Sequence, residues 1–365
     1  MRKRKTGARR WSLVLALAVA ALTAAAFASA TQASEHHSVY VTHNLVSDQP
    51  GVADQTDPNL VNAWGLDARP TSPWWVSDNG TNVSTLYNGA GVLFPPASPL
   101  VVQVPNSPTG LVANNGSNFV VHSGPASASA LFLFSTEEGK ILGWNPGVSP
   151  AAVVAVDSSP WGAVYKGLAI SPTGDRLYAT DFHNGRVDVF DAGFNPVNTP
   201  GAFIDKRIPR GFAPFGIQTV GGQIVVTYAK QDAARHDDVQ GRGLGFVDVF
   251  DTSGALIERV ARHGPLNAPW GIALAPVNFG RFSGDLLIGN FGDGKINAFR
   301  QEHHGNYEFA GRLTGSDHRP IAIDGLWALQ FGKGAANNGP TNTLFFTAGP
   351  ADESHGLFGS ITTTP

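Results

Sequence analysis

The densest run of chemistry-bearing side chains is Lys230-Gln-Asp-Ala-Ala-Arg-His-Asp-Asp-Val-Gln-Gly-Arg242. His236 supplies an imidazole that gains or loses a proton near neutral pH, and Asp237 and Asp238 supply two adjacent carboxylates. Such a trio is either an acid–base or metal-binding group or the polar face of a solvated flap. A second set is spread along the chain, where Asp78, Asp181, Asn290 and Asp324 each follow a short apolar stretch. Oxygen donors from separate segments can converge on Ca²⁺ or another divalent cation. An Asp in a Thr-Asp-x-x-Asn-Gly stretch can equally cap its own turn, so both readings stand. His183 and His318 join His236 as candidate acid–base groups, and Tyr228, Lys230, Trp270 and Arg319 join the 236–238 trio as candidate ligand contacts. Other chemistries are excluded. The chain has no cysteine for a thiolate nucleophile, no G-x-S-x-G elbow and no phosphate-binding loop, and Gln301-Glu-His-His-Gly305 lacks the H-E-x-x-H spacing of a zinc protease.

The elements that must position these groups are strands. Forty-three glycines, 25 prolines and only 15% charged residues describe many short strands joined by tight turns. The unit Lys166-Gly-Leu-Ala-Ile-Ser-Pro-Thr-Gly-Asp-Arg-Leu-Tyr-Ala-Thr-Asp181, continued by Phe182-His-Asn-Gly-Arg-Val-Asp-Val-Phe-Asp191, contains three strands and two turns. Its Gly-Leu or Gly-Ile marker recurs at Gly65, Gly110, Gly167, Gly216, Gly271 and Gly325, at spacings of 45 to 57 residues. A repeat of that size with three or four strands predicts propeller blades, and six markers predict an all-β, six-bladed β-propeller over residues 38–365. Second strands are expected at 74–77, 118–122, 176–180, 223–228, 285–289 and 343–347, with 131–144 as a longer third strand, a turn inside it, in blade two. The last blade lacks an outer strand, and the alternating stretch Ser38–Val46 precedes the first. The N-terminal strand is therefore expected to complete the last blade and close the ring, hiding sheet edges. On this topology one rim collects Asn62, Asn79, Lys166, Glu353 and the candidate residues above, as a binding site requires.

Pro214-Phe-Gly-Ile217, Pro269-Trp-Gly-Ile-Ala273 and the 166–190 unit resemble the NHL repeat. From about residue 39 onward the chain also resembles a family of exported bacterial six-bladed propellers of the TolB-like type. The matching stretches are Asn44-Leu-Val-Ser-Asp48, Asn62-Ala-Trp-Gly-Leu66, Gly289-Asn-Phe-Gly-Asp-Gly294, Leu326-Trp-Ala-Leu329 and Phe346-Thr-Ala-Gly349. The resemblance implies the fold and no activity. Gluconolactonase-like enzymes share the general fold but expect a metal-binding glutamate before the first inner strand, where this chain has Asn62-Ala-Trp-Gly.

Arg2, Lys3, Arg4, Lys5, Arg9 and Arg10 precede an apolar run, Trp11–Ala28, that ends in Ala28-Ser29-Ala30. This order predicts a signal peptide over residues 1–30, a linker over 31–37, and a secreted or periplasmic product. Arg9-Arg10 leaves general and twin-arginine export both open. Removing the leader leaves 19 basic against 28 acidic residues, a formal −9. That charge disfavours nucleic acid and anionic membrane as partners. The expected function is binding of a small molecule, polymer or protein through one face of the channel, with a metal-dependent hydrolase or lyase at the channel mouth as the alternative.

Overall fold

The computed structural model describes residues 38–302 and 305–364. The leader and linker expected over residues 1–37 lie outside them. Six sheets of three to five strands follow one another along the described chain, each running from an inner to an outer strand. Inner strands also contact those of neighbouring blades all the way round, which makes a ring of six blades. No helix among the described residues is long and apolar enough to cross a membrane.

The glycine markers explain how tightly the ring closes. A Cβ on Gly65 would overlap the Thr109 carbonyl, one on Gly167 the Phe215 carbonyl, and one on Gly216 the Trp270 carbonyl. Each inner strand thus lies directly on the next blade's backbone. In blades three and six a hydroxyl on the second strand fastens this contact. Thr180 receives the Gly167 N–H at 2.7 Å and donates to the Phe215 carbonyl at 2.7 Å. Ser135 and Thr227 receive the N–H groups of Gly110 and Gly216 at 3.0 and 2.9 Å. In blade six Thr347 receives the N–H of Ala328, not of Gly325. The marker expected at Gly325 is therefore displaced, and Gly325 lies in the approach to Leu326–Phe331 with φ +63°.

Ring closure follows the expected route. Val39–Ser47 pairs antiparallel with Leu357–Thr364, from Val39 opposite Thr364 to Ser47 opposite Leu357. Tyr40 anchors it, buried against Phe279 and Phe282 and donating to the Phe279 carbonyl at 3.1 Å. Blade two differs from expectation. Its second and third strands are Phe132–Thr136 and Lys140–Trp144, so the stretch expected as a third strand with a turn inside has that turn but supplies both strands. Residues expected as the second strand instead form a separate hairpin, Val120–Ser123 with Ala126–Ser129. Blade three stops at three strands, and the loop after it covers the edge through Val197 N–H to the Val189 carbonyl.

Candidate ligand site at the channel mouth

One residue precedes the marker on every inner strand: Trp64, Thr109, Lys166, Phe215, Trp270 and Trp327. Large side chains at these positions reach the axis and meet there. Trp64 stacks on Trp327 with ring centroids 3.5 Å apart, Trp270 meets both edge-on, and Phe291 stacks on Trp327 at 4.0 Å. This aromatic plug divides the channel into two ends.

Lys166 is the charged member of that ring. Its side chain is 2% exposed, and its Nζ sits 5.2 Å from the centroid of the Trp64 ring. It donates to Glu137 Oε1 at 2.5 Å and to Asp237 Oδ1 at 3.1 Å. From Glu137 a chain of amides crosses the mouth. Asn79 Nδ2 donates to Glu137 Oε2 at 3.0 Å, and Asn62 Nδ2 donates to Asn79 Oδ1 at 3.1 Å and to Glu353 Oε2 at 2.6 Å. Trp327 Nε1 donates to Asn62 Oδ1, tying the network to the plug. Side chains from blades one, two, three, four and six therefore form one connected cluster.

Two irregular segments deliver the acids. Residues 231–245 form the long connection of blade four, closed on itself by Asp232 N–H to the Asp237 carbonyl and Val239 N–H to the Lys230 carbonyl. This flap brings His236 Nδ1 to 2.9 Å from the same Asp237 oxygen that meets Lys166. In blade six, Ala351, Asp352 and Glu353 hold φ of +57°, +52° and +64° in succession. Each left-handed L-residue costs about 1–2 kcal/mol, so three in a row is a strained way to carry a glutamate inward.

Charge in the cluster is sharply sorted. Burial opposes the charge on Lys166, but Glu137 and Asp237 outweigh it and hold its pKa above the usual lysine value. Burial also acts on Asp237, where Lys166 and then His236 win and keep the carboxyl below the ordinary range. Its neighbour goes the other way. Burial, aided by Glu353 and Asp237 against the pull of Lys166, pushes Asp238 up to about 7, and its Oδ2 has no hydrogen-bond partner. Glu353 is likewise raised, chiefly by burial. A cavity of about 370 Å³ opens beside it, bounded by Gln240, Phe291, Asp293, Asp324, Asp352 and Glu353.

The residues singled out in the sequence have different fates. His236, Asp237 and Asp238 fall in the cluster, and Trp270 forms part of the plug, donating Nε1–H to the Lys166 carbonyl. Lys230 lies at the base of the flap over the Phe212 ring. Tyr228 turns into the core between blades three and four. His183 flanks the flap, its carbonyl accepting from Gln231. His318 and Arg319 lie in the Thr314–Pro320 turn, whose Thr314 carbonyl accepts from Tyr40 N–H of the closing strand. The four oxygen donors have local partners or surroundings. Asp181 caps its turn through Asn184 N–H and also accepts from Val164 N–H, and Asn290 donates to Asp293 and the Pro265 carbonyl. Asp324 accepts from Ala351 N–H. Asp78 is fully buried, and burial followed by the nearby Asp57 charge pushes it well above the carboxylate range. Among the described residues, the carboxylate and imidazole donors gathered within reach of one ion are Glu137, His236 and Asp237, within 4.8 Å of one another. Glu137 went unmarked in the sequence because it sits in an ordinary Thr-Glu-Glu-Gly turn.

No protein-family profile matches the chain. Among curated proteins it is 34% identical over 328 residues to uncharacterized protein R648 of Acanthamoeba polyphaga mimivirus, covering 87% of this chain and 78% of the relative. Uncharacterized protein L690 of the same virus is 31% identical, with 87% and 84% covered. These relatives are viral and lend no support to a bacterial assignment. Among solved structures, the soluble aldose sugar dehydrogenase of Escherichia coli superposes with a TM-score of 0.54 at 12% identity, covering 89% of this chain and 99% of that one. A streptogramin B lyase gives 0.50 at 12% identity, with 90% and 98% covered. At such identities these likenesses show the propeller fold alone. By the extent and level of its identity to the two viral proteins, the chain belongs to the family of six-bladed propellers that contains R648 and L690.

Proposed function

We propose that the protein binds a small polar ligand at the channel mouth, between the blade-four flap and the strained segment of blade six. The observation that carries this reading is the burial of Lys166. Four of the six equivalent ring positions hold Trp or Phe, which fill the axis without a charge. A buried ion pair is often no more stabilising than a well-packed apolar substitute, so packing alone does not account for a lysine there. Perturbed acids in a cleft, such as Asp238 and Glu353, favour the same conclusion. The test is a thermal-shift screen of a metabolite library against the wild type, Glu137→Gln and Glu353→Gln. A ligand should raise the melting temperature of the wild type and lose most of that effect in both variants. Hits that stabilise all three proteins equally would overturn the reading.

A second reading, a metal-dependent hydrolase or lyase, is favoured by the Glu137–His236–Asp237 group. Two carboxylates and an imidazole suit Mn²⁺ or Zn²⁺. Lys166 occupies two of the same side chains, so an ion would have to displace its ammonium. Calorimetric titration with Mn²⁺ and Zn²⁺ should then show tighter binding to Lys166→Met than to the wild type. If neither protein binds either ion, this reading falls.

A further inference from the structure

The far end of the channel, beyond the aromatic plug, holds a second cavity of about 190 Å³. All six blades line it, blade five through Trp270 and the others through the residues that follow each inner-strand marker. Its polar groups are Asp67, Gln218, Thr219, Gln330 and Lys333. Asp67 and Lys333 neutralise one another, with Lys333 Nζ 2.6 Å from Asp67 Oδ1 and also donating to the Ala68 carbonyl. The second Asp67 oxygen accepts from Ala113 N–H at 2.8 Å. Thr219 donates to the Ile170 carbonyl at 2.6 Å, leaving its oxygen free to accept. The side-chain amides of Gln218 and Gln330 have no partner among the described residues. Val112, Ala169 and Trp270 supply apolar wall.

From this lining we infer that the far end of the channel binds a small, uncharged, polyhydroxylated molecule: a single sugar ring or a cyclic polyol. Size is the first ground. At about 190 Å³ the cavity is below the range of roughly 300–1,000 Å³ that drug-sized ligands fill. Charge is the second. An anion finds Lys333 already paired, and a cation finds Asp67 already paired, so neither gains an unopposed partner. Hydrogen bonding is the third. Each glutamine amide offers two donors and an acceptor, which matches hydroxyl groups that both donate and accept, while the C–H face of a ring can lie on apolar wall. The inference is independent of the mouth site, which lies on the other side of the plug.

The experiment is calorimetry and saturation-transfer NMR with D-glucose, D-galactose, D-mannose, D-xylose and myo-inositol, with gluconate and glucosamine as charged controls. At least one uncharged member should bind at millimolar concentration, and the charged controls more weakly. Gln218→Leu combined with Gln330→Leu should weaken binding by about tenfold or more. If the double variant fails to fold, the wild-type side-chain amide resonances of Gln218 and Gln330 should still shift on adding the sugar. Three outcomes overturn the inference. They are no binding by any uncharged member, tighter binding of a charged control, and binding that survives the double variant with both amide resonances unmoved.

Discussion

Lys166 is held by partners of unequal exposure, Glu137 at 17% and Asp237 at 66%. Removing its charge strands a mostly buried carboxylate but leaves the exposed one hydrated. Lys166→Met should therefore cost about 3 kcal/mol, the low end for breaking a buried pair, because the Asp237 arm is screened by solvent. Urea unfolding at neutral pH measures this, and adding Glu137→Gln to the variant should recover part of the loss. A fully stable single variant would mean that water already reaches the pair. Asp238 gives a pH signature of opposite character. Its folded pKa of about 7 lies above the ordinary aspartate value near 4, so the folded state binds a proton that the unfolded state releases. The stabilisation is fully present below about pH 4 and is lost as pH rises through about 7. Asp238→Asn should flatten that decline, and a stability profile between pH 4 and 8 parallel to the wild type would show that the carboxyl is not held protonated. None of this sorting was visible in the sequence. Adjacent Asp237 and Asp238 read as a matched pair, yet one faces the ammonium and the other is desolvated beside Glu353.

Five inner strands meet the next blade at a glycine with no room for a side chain, and in blades three and six a hydroxyl spans two backbones, Thr180 from Gly167 to Phe215 and Thr347 from Ala328 to Trp64. Substituting the glycine should therefore be costly where the neighbouring carbonyl is closest and harmless where the blade already accommodates a methyl group. Gly216→Ala places a Cβ into the Trp270 carbonyl, and should cost about 3 kcal/mol, the upper end for an overpacked core. Ala328→Gly, at the equivalent place in blade six, should cost only about 0.5–1 kcal/mol from backbone entropy. Equal effects on the unfolding midpoint would refute the ring-contact explanation. The repeat was legible because five blades keep the glycine. It failed in blade six, where Ala328 occupies the position and the nearby Gly325 serves a turn instead. Blade two misled for a related reason. Residues 118–122 do contribute a strand, Val120–Ser123, but it pairs with Ala126–Ser129 as a local hairpin, and alternation does not reveal a strand's partner.

The whole molecule depends on a chain end to become a closed ring. The site, by contrast, depends on loops, which explains why architecture was readable and the mouth was not. Propeller strands repeat a pattern that can be counted, whereas Glu137, Asn62 and Glu353 meet only because three unrelated turns converge at one rim. Closure also sets the stability of the mouth. Immediately after the closing strand, Asp48 accepts from His355 Nδ1 at 2.7 Å and from Gly356 N–H at 2.9 Å, so the N-terminal segment grips the residues just beyond Glu353. Deleting residues 38–47 should thus do more than fray a terminus. It removes the buried Tyr40, Leu45 and Val46 and uncovers the edge of Leu357–Thr364. Truncating one large core side chain costs about 3–5 kcal/mol, and most domains have only about 5–15 kcal/mol in total. The deleted protein should accordingly lose cooperative thermal unfolding or melt far below the parent, and its uncovered edge should promote association visible by light scattering. A milder variant, Tyr40→Phe, keeps the ring in place but loses the bond to the Phe279 carbonyl, and should cost about 1 kcal/mol while remaining monodisperse. A deletion variant that melts with the parent, as a single cooperative and monodisperse species, would show that the sixth blade is complete without the N-terminal strand.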